Sequence, residues 1–477
     1  MIREFEYYQS TFGVTRKDMA RLAAEALSTG GDYCDIFFEN TSRGNLQLRD
    51  GIVSDGGFAV DYGVGVRVLK GEKTGYSYSE STDMKAMVEA ARASSKIAAG
   101  TLPTPPWKEA SKPKPKGRPN PAADRYPTRE GWEGDFVKPY LEKLREAIAA
   151  KDDRIVKIIA QVAYETSDVM IYNSFGDLKY DSRPMCTVVA RVIFSKDGKT
   201  ENKSVSKSYR MGSEALTQAL IDEIAAEVVA GIDDRFEAKR PKGGQMPVVM
   251  GAGASGILLH EAMGHAFEAD FNRKGQSIFS DKMGKRICAE GINIVDDGTI
   301  KGNRGAVNFD DEGVAGQRTM MVEDGILTSY LHDRISAKYY GVAPTGNGRR
   351  ESFRYNPIPR MRATYMESGD ARAEDIIASV KKGIYVDDFL NGQVQIGEGD
   401  FTFFVNSGYL IENGKLTRPI KDINVIGNGP RALADIVAVG NDLKVDDGAW
   451  TCGKEQSCPV SCGIPTVLIK NLTVGGE

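Results

Sequence analysis

Four of this chain's Asx-Gly pairs, those flanked by strand-like runs, constrain it more than any other feature. Asp50-Gly51, Asp197-Gly198, Asp324-Gly325 and Asn413-Gly414 each separate two strand-like runs, as in LQLRDGIVSD. Such a pair supplies the two positive-φ residues of a type I′ turn, whose twist matches that of the strands it joins. Each pair commits its flanks to an antiparallel hairpin, and together they spread antiparallel sheet along the chain.

Apolar periodicity places helices over 16–29, 84–98, twice between 136 and 161, and over 214–231. Beyond 240 only 254–270 and 373–382 read as helical. The fold class that follows is α+β, an N-terminal region of antiparallel sheet with flanking helices and a C-terminal β-rich domain. Residues 103–127 carry eight of the 19 prolines with several Lys and Arg, and read as an extended surface linker. FEAKRPKGG at 236–244 marks a second boundary. The division expected is an α+β region over 1–102, a linker over 103–130, a second α+β region over 131–240, and a β-rich domain over 241–477.

Composition excludes several functions. The chain has 477 residues, 41% hydrophobic and 27% charged, with a net charge of −4. This balance supports buried cores and lacks the basic excess of a general nucleic-acid binder. No apolar run reaches the roughly 18 residues of a membrane span. The N-terminus has no basic segment followed by an apolar one, so no secretory signal is expected. Six cysteines in a chain this long read as free thiols in the reducing cytoplasm.

The chemistry concentrates in His260-Glu261-Ala262-Met263-Gly264-His265, which holds two of the three histidines. Neutral imidazoles supply metal ligands, and a carboxylate beside a metal-activated water takes its proton. The spacing is i, i+5. In a regular α-helix that sets the rings roughly 140° apart, against roughly 40° for the more familiar i, i+4 pair. A shared metal therefore predicts an irregular helix, with a π-type turn or a break near Gly264. The alternative is two helix histidines on different faces.

Other signals are weaker. Gly251-Ala252-Gly253-Ala254-Ser255-Gly256 matches G-x-G-x-x-G after an apolar strand, but no second apolar strand follows its helix, so the glycines read as a tight entry turn. His332 is either a third imidazole ligand or a partly exposed residue near a turn. Glu268 and Asp270 either orient a ligand imidazole or are solvated at the helix end. Asp296 and Asp297 read as turn chemistry. Arg360 and Arg362 are noted as candidates for oxyanion stabilisation.

The run HEAMGHAFEADFNRKGQS, with DDGT at 296–299, NFDDEG at 308–313, RMRATYME at 360–367 and TCGKEQSCPVSCGIPTVLIKNLTVGG at 451–476, resembles the TldD branch of the TldD/PmbA metallopeptidase family. The resemblance spans nearly the whole chain. It implies a peptidase acting on unfolded or extended peptides, with one Zn2+ per chain held by His260, His265 and Cys452, and Glu261 as general base. It also implies either a homodimer or pairing with a PmbA/TldE-type sister chain; the charge balance and the lack of an apolar span point to no nucleic-acid or membrane partner. Gly453 beside Cys452 permits close backbone approach, and Lys454 is placed to favour a thiolate. Cys458 and Cys462 depart from the family pattern. A rival zinc site of Cys452, Cys458 and Cys462 lacks the usual Cys-x-x-Cys spacing. The rival function is a non-catalytic peptide-binding or scaffold subunit with a structural zinc, which would have no need of Glu261.

Overall fold

The computed structural model describes residues 3–99, 134–395 and 397–476. The proline-rich stretch 103–127 lies outside them. Six long strands form one antiparallel sheet: β1 (Tyr33–Arg49), β2 (Ile52–Lys70), β3 (Lys73–Ser79), β4 (Ile155–Asn173), β5 (Leu178–Lys196) and β6 (Lys199–Tyr209), in the order β3-β2-β1-β4-β5-β6. The central pair β1–β4 joins residues from both sides of the linker, with Phe38 opposite Met170 and Leu48 opposite Ala160. A single sheet thus spans two regions that are separate in sequence.

The two faces of this sheet do different work. Even-numbered residues of β1 and β4 point to the helices. Ile36, Phe38 and Met170 pack with Phe12 of α1 (Phe5–Phe12), Met19 and Leu22 of α2 (Arg16–Ala26) and Met87 and Ala91 of α3 (Met84–Ala99). Leu48, Ala160 and Val162 pack with Leu141, Leu144 and Ile148 of the 134–149 helix and Leu220 and Ile224 of the 218–229 helix. Odd-numbered Phe37, Val169 and Ile171 instead meet Phe309 and Phe353 of the C-terminal part. The period-2 alternation of a strand makes this division.

Beyond residue 240 strand residues outnumber helical ones by more than two to one, in keeping with an α+β protein. A seven-stranded sheet contains β7 (Gly244–Met250) and the strands Lys382–Val394, Asp400–Glu412 and Val467–Val474. A six-stranded sheet contains Ile294–Asp297, Ala363–Met366 and Ser461–Ile464. A two-stranded hairpin, Thr451–Lys454 with Gln456–Pro459, stands apart from both.

The four pairs singled out, Asp50-Gly51, Asp197-Gly198, Asp324-Gly325 and Asn413-Gly414, are hairpin turns with both residues at positive φ, from 48° at Asp324 to 87° at Gly51. They join Arg49 to Ile52, Lys196 to Lys199, Glu323 to Ile326 and Glu412 to Lys415. Two expectations need correction. Between 136 and 161 there is one helix, and the chain is strand from Ile155, where Ile155, Val156, Ile158 and Ile159 favour the pleated surface. The helices Arg334–Tyr340 and Gly429–Ala434 were not anticipated. The first starts at Asp333, whose carboxylate accepts from the Ser336 amide at 2.8 Å, an N-cap missed in the sequence.

Candidate metal centre

Strand β7 runs into the histidine segment through a glycine turn. Gly253 takes φ 101°, and a Cβ on Gly256 would lie 2.5 Å from the backbone of Gly463. The glycines therefore serve a tight turn and close packing on the 461–464 strand. The chain then passes through a 3-10 turn at Ala254–Gly256, one α turn at Ile257–Leu259, a π turn at His260–Gly264 and a second 3-10 turn at His265–Phe267. The π turn carries an extra residue, so positions five apart return to one side. The His260 and His265 rings lie 5.1 Å apart, centroid to centroid. Gly264 is required here by packing and has φ −57°, since a Cβ would lie 2.1 Å from Met361 Sδ.

Cys452 comes to these rings from the 451–459 hairpin. Its Sγ lies 3.2 Å from His265 Nε2. One donor atom from each of His260, His265 and Cys452 falls within 4.8 Å of the others, and all three residues are buried. Two imidazoles and a thiol fit a borderline-soft ion such as zinc, for which three protein ligands leave a coordination position open. Burial opposes ionisation of the thiol, but His260 and His265 bring it down to about 4. The two rings thus favour the thiolate, the form that binds metal.

A buried charge network stands behind the donors. His265 Nδ1 lies 3.0 Å from Glu268 Oε2. Burial works against protonation of His265, but Glu268 overrides it and lifts the ring to about 10. Burial would raise Glu268, yet Lys454 and His265 hold it down to about 2. Lys454 Nζ reaches Glu268 at 3.1 Å and Asp270 at 2.7 Å and lies over the Phe271 ring. Arg360, fully buried, donates to the carbonyls of Cys452 and Gln456 at 2.7 Å each and lies 3.7 Å from Glu268.

Glu261 lines a cavity of about 510 Å³ together with His260, His265 and Cys452. Burial raises its carboxyl above the ordinary range, with the two imidazoles opposing. Gly392, Gln393 and Val394, the end of the 382–394 strand, also line it. Strand 400–412 pairs that segment on one side, and β7 pairs only residues 384–386 on the other. Among the described residues, the 388–394 edge facing away from strand 400–412 has no strand partner.

The structure sorts the other candidates. His332 is buried, contrary to the partly exposed reading. It packs its ring near Tyr330 and Tyr340 outside the His260–His265–Cys452 group, and burial lowers it to about 4. Glu268 orients His265, while Asp270 serves Lys454. Lys454 answers those carboxylates, and its expected role beside the thiolate is thereby corrected. Asp296 accepts from Asn347, Thr364 and the Arg362 amide, a structural role. Arg360 and Arg362 direct guanidinium groups to backbone carbonyls, including Arg362 Nε to Gly346 at 2.6 Å. Cys458 and Cys462 are buried and free, and neither belongs to the donor group. Trp450, which lines the cavity, gave no signal in the sequence, and Arg360, noted there for oxyanion stabilisation, instead holds the Cys452 carbonyl.

Family models of the PmbA/TldA metallopeptidases match three stretches: domain 1 at 34–98, the central domain at 131–232 and the C-terminal domain at 243–476. A relative from Haemophilus influenzae named Metalloprotease TldD homolog is 38% identical over 457 residues, 93% of each chain. A relative from Saccharolobus solfataricus named Zinc metalloprotease TldD homolog is 34% identical over 258 residues, 54% of this chain and 57% of that one. The solved structure of TldE from Thermococcus kodakarensis superposes with a TM-score of 0.73 at 19% identity, covering 96% of this chain and all of the other. The chain belongs to the PmbA/TldD metallopeptidase family. No described helix is long and apolar enough to cross a membrane.

Proposed function

We propose that this protein is a zinc-dependent peptidase that cuts unfolded or extended polypeptides, with His260, His265 and Cys452 holding one Zn2+ per chain. The observation that carries the reading is the convergence of these three donors beside Glu261 on one cavity. Zinc held there supplies Lewis acidity, lowering the pKa of water and polarising a carbonyl. Glu261 takes a proton from the attacking water at its carboxylate and delivers it to the departing amine nitrogen. Glu268 fixes the ring of His265 through Nδ1, leaving Nε2 toward Cys452. The unpaired 388–394 edge offers backbone groups to an extended substrate, which favours strand addition and tolerance of many side chains.

The scaffold alternative leaves the half-buried Glu261 carboxylate at the cavity wall without a task. We further propose a cytoplasmic protein, in keeping with six free cysteines. It works as a homodimer or with a PmbA/TldE-type sister chain, and without nucleic-acid or membrane partners. Glu261→Gln tests the chemistry. Cleavage of casein or a denatured chain should fall by roughly 10²- to 10⁴-fold while bound zinc is retained. Full activity in Glu261→Gln would remove the general base. Equal rates on a native globular protein and its unfolded form would remove the strand-addition cleft.

A further inference from the structure

Cys452 and Cys458 occupy directly opposite positions on the 451–459 hairpin. Residues so paired project from the same face of the ribbon, with Cα atoms about 4.5–5.5 Å apart. That lies inside the range of about 4.4–6.8 Å that a disulfide requires. Burial confirms the shared face. Cys452, Lys454, Gln456 and Cys458 are buried, whereas Thr451, Gly453, Glu455 and Ser457 are exposed. Arg360 contacts both residues, with Nη2 on the Cys452 carbonyl and Nη1 3.6 Å from Cys458 Sγ. Each cysteine also borders open space. Cys452 lines the 510 Å³ cavity, and Cys458 lines a groove of about 600 Å³ shared with Arg43 and Tyr164.

The remaining cysteines lie off the hairpin. Cys462 also lines the 510 Å³ cavity, but from the 461–464 strand, opposite Thr364 in a different sheet. Cys34, Cys186 and Cys288 are buried in core clusters and line neither the cavity nor the groove.

We propose that Cys452 and Cys458 form a site of reversible oxidative modification, closing to a cross-strand disulfide when a peroxide reaches the hairpin. The Cys452 thiolate attacks one peroxide oxygen, the O–O bond breaks and hydroxide leaves, giving a sulfenic acid. Cys458 Sγ then attacks that sulfur, the S–S bond forms, the S–O bond breaks and water leaves with the Cys458 proton. Two thiols lose two electrons and two protons, and one hydrogen peroxide becomes two waters. A dithiol reductant reverses the change by exchange. Resting on the reading of Cys452 as a zinc ligand, the disulfide and the metal exclude each other, so oxidation stops the peptidase by taking away a ligand.

The test uses the full chain as purified, and again after chelation, treated with hydrogen peroxide. Thiols are counted after denaturation and peptides mapped without reduction. Cleavage by trypsin after Lys454 puts Cys452 and Cys458 in different peptides, so the bond is read directly as a linked pair. The expected result is a fall from the six thiols of the sequence to four in the chelated protein, a 452–458 linked pair, and full recovery with dithiothreitol. Cys458→Ser and Cys458→Ala should each give no linked pair. In the purified protein, zinc should leave in step with the bond. A linked pair with zinc retained would uphold the disulfide and overturn Cys452 as ligand. Thiols that stay free, or a link that survives both Cys458 substitutions, would overturn the proposal.

Discussion

Two buried charge clusters in this molecule look alike and serve different ends. One lies between the N-terminal sheet and the C-terminal part, where Arg67 pairs with Asp35 and, at 2.6 Å, with Glu312, and Arg350 reaches Asp35 at 3.3 Å. The other lies behind the candidate metal centre, where Glu268, Asp270, Lys454 and Arg360 neutralise one another. All these groups are almost wholly removed from water. The first cluster closes on itself and ties β1 and β2 to the segments around 312 and 350. The second ends on the Nδ1 of His265 and the backbone of Cys452, two residues that line a cavity. Buried charge alone therefore does not mark a site; a network that terminates on cavity-facing donors does.

The comparison breaks most sharply on stability. Arg67→Met leaves Asp35 and Glu312 buried without their cation, a loss of about 3–5 kcal/mol, read as a lower midpoint in urea. Metal affinity of the fraction that stays folded should be unchanged. A matching loss of metal would mean that the two clusters are coupled.

Glu268→Gln should do the reverse. It keeps the shape but weakens the hold on His265, and metal affinity should fall about 10- to 100-fold in competition with a chromophoric chelator. If affinity is unmoved, the network is structural like its counterpart.

His332 sharpens the contrast as a buried ionisable group without an opposing charge. Its folded pKa of about 4 lies below the usual 6.5. The neutral form is favoured by the fold, so its contribution is present above pH 6.5 and is lost as pH falls toward 4. At pH 5 the loss is about 2 kcal/mol. Urea unfolding at pH 7 and pH 5 should show a difference smaller by that amount in His332→Phe, and an unchanged difference would contradict the burial argument.

The smallest effect belongs to neither cluster. Thr15 accepts from the Asp18 amide in a capping box at the start of α2, and Thr15→Ala should cost about 1 kcal/mol with metal binding unaffected.

Local signals were legible in the sequence. Four Asx-Gly pairs flanked by strand-like runs signalled their hairpin turns, and a metal shared by His260 and His265 at i, i+5 called for an irregular helix such as the π turn that the structure contains. Pairings between distant residues were not legible. Nothing near Phe38 announces Met170 as its neighbour, because strand register is set by tertiary packing. Lys454 was read against its sequence neighbour Cys452, yet alternation on the hairpin and the chain path at 268–270 bring it to carboxylates about 185 positions away. His332 looked ordinary because its burial comes from Tyr330 and Tyr340 and the fold around them.

The central claim is that Cys452 completes a three-donor metal centre with His260 and His265, and zinc stoichiometry in single alanine variants tests it most directly. The account predicts about one zinc per chain in the parent, Cys458→Ala and Cys462→Ala proteins, and loss of zinc together with peptide cleavage in Cys452→Ala. A Cys452→Ala protein that keeps its zinc and still cuts an unfolded chain would contradict it.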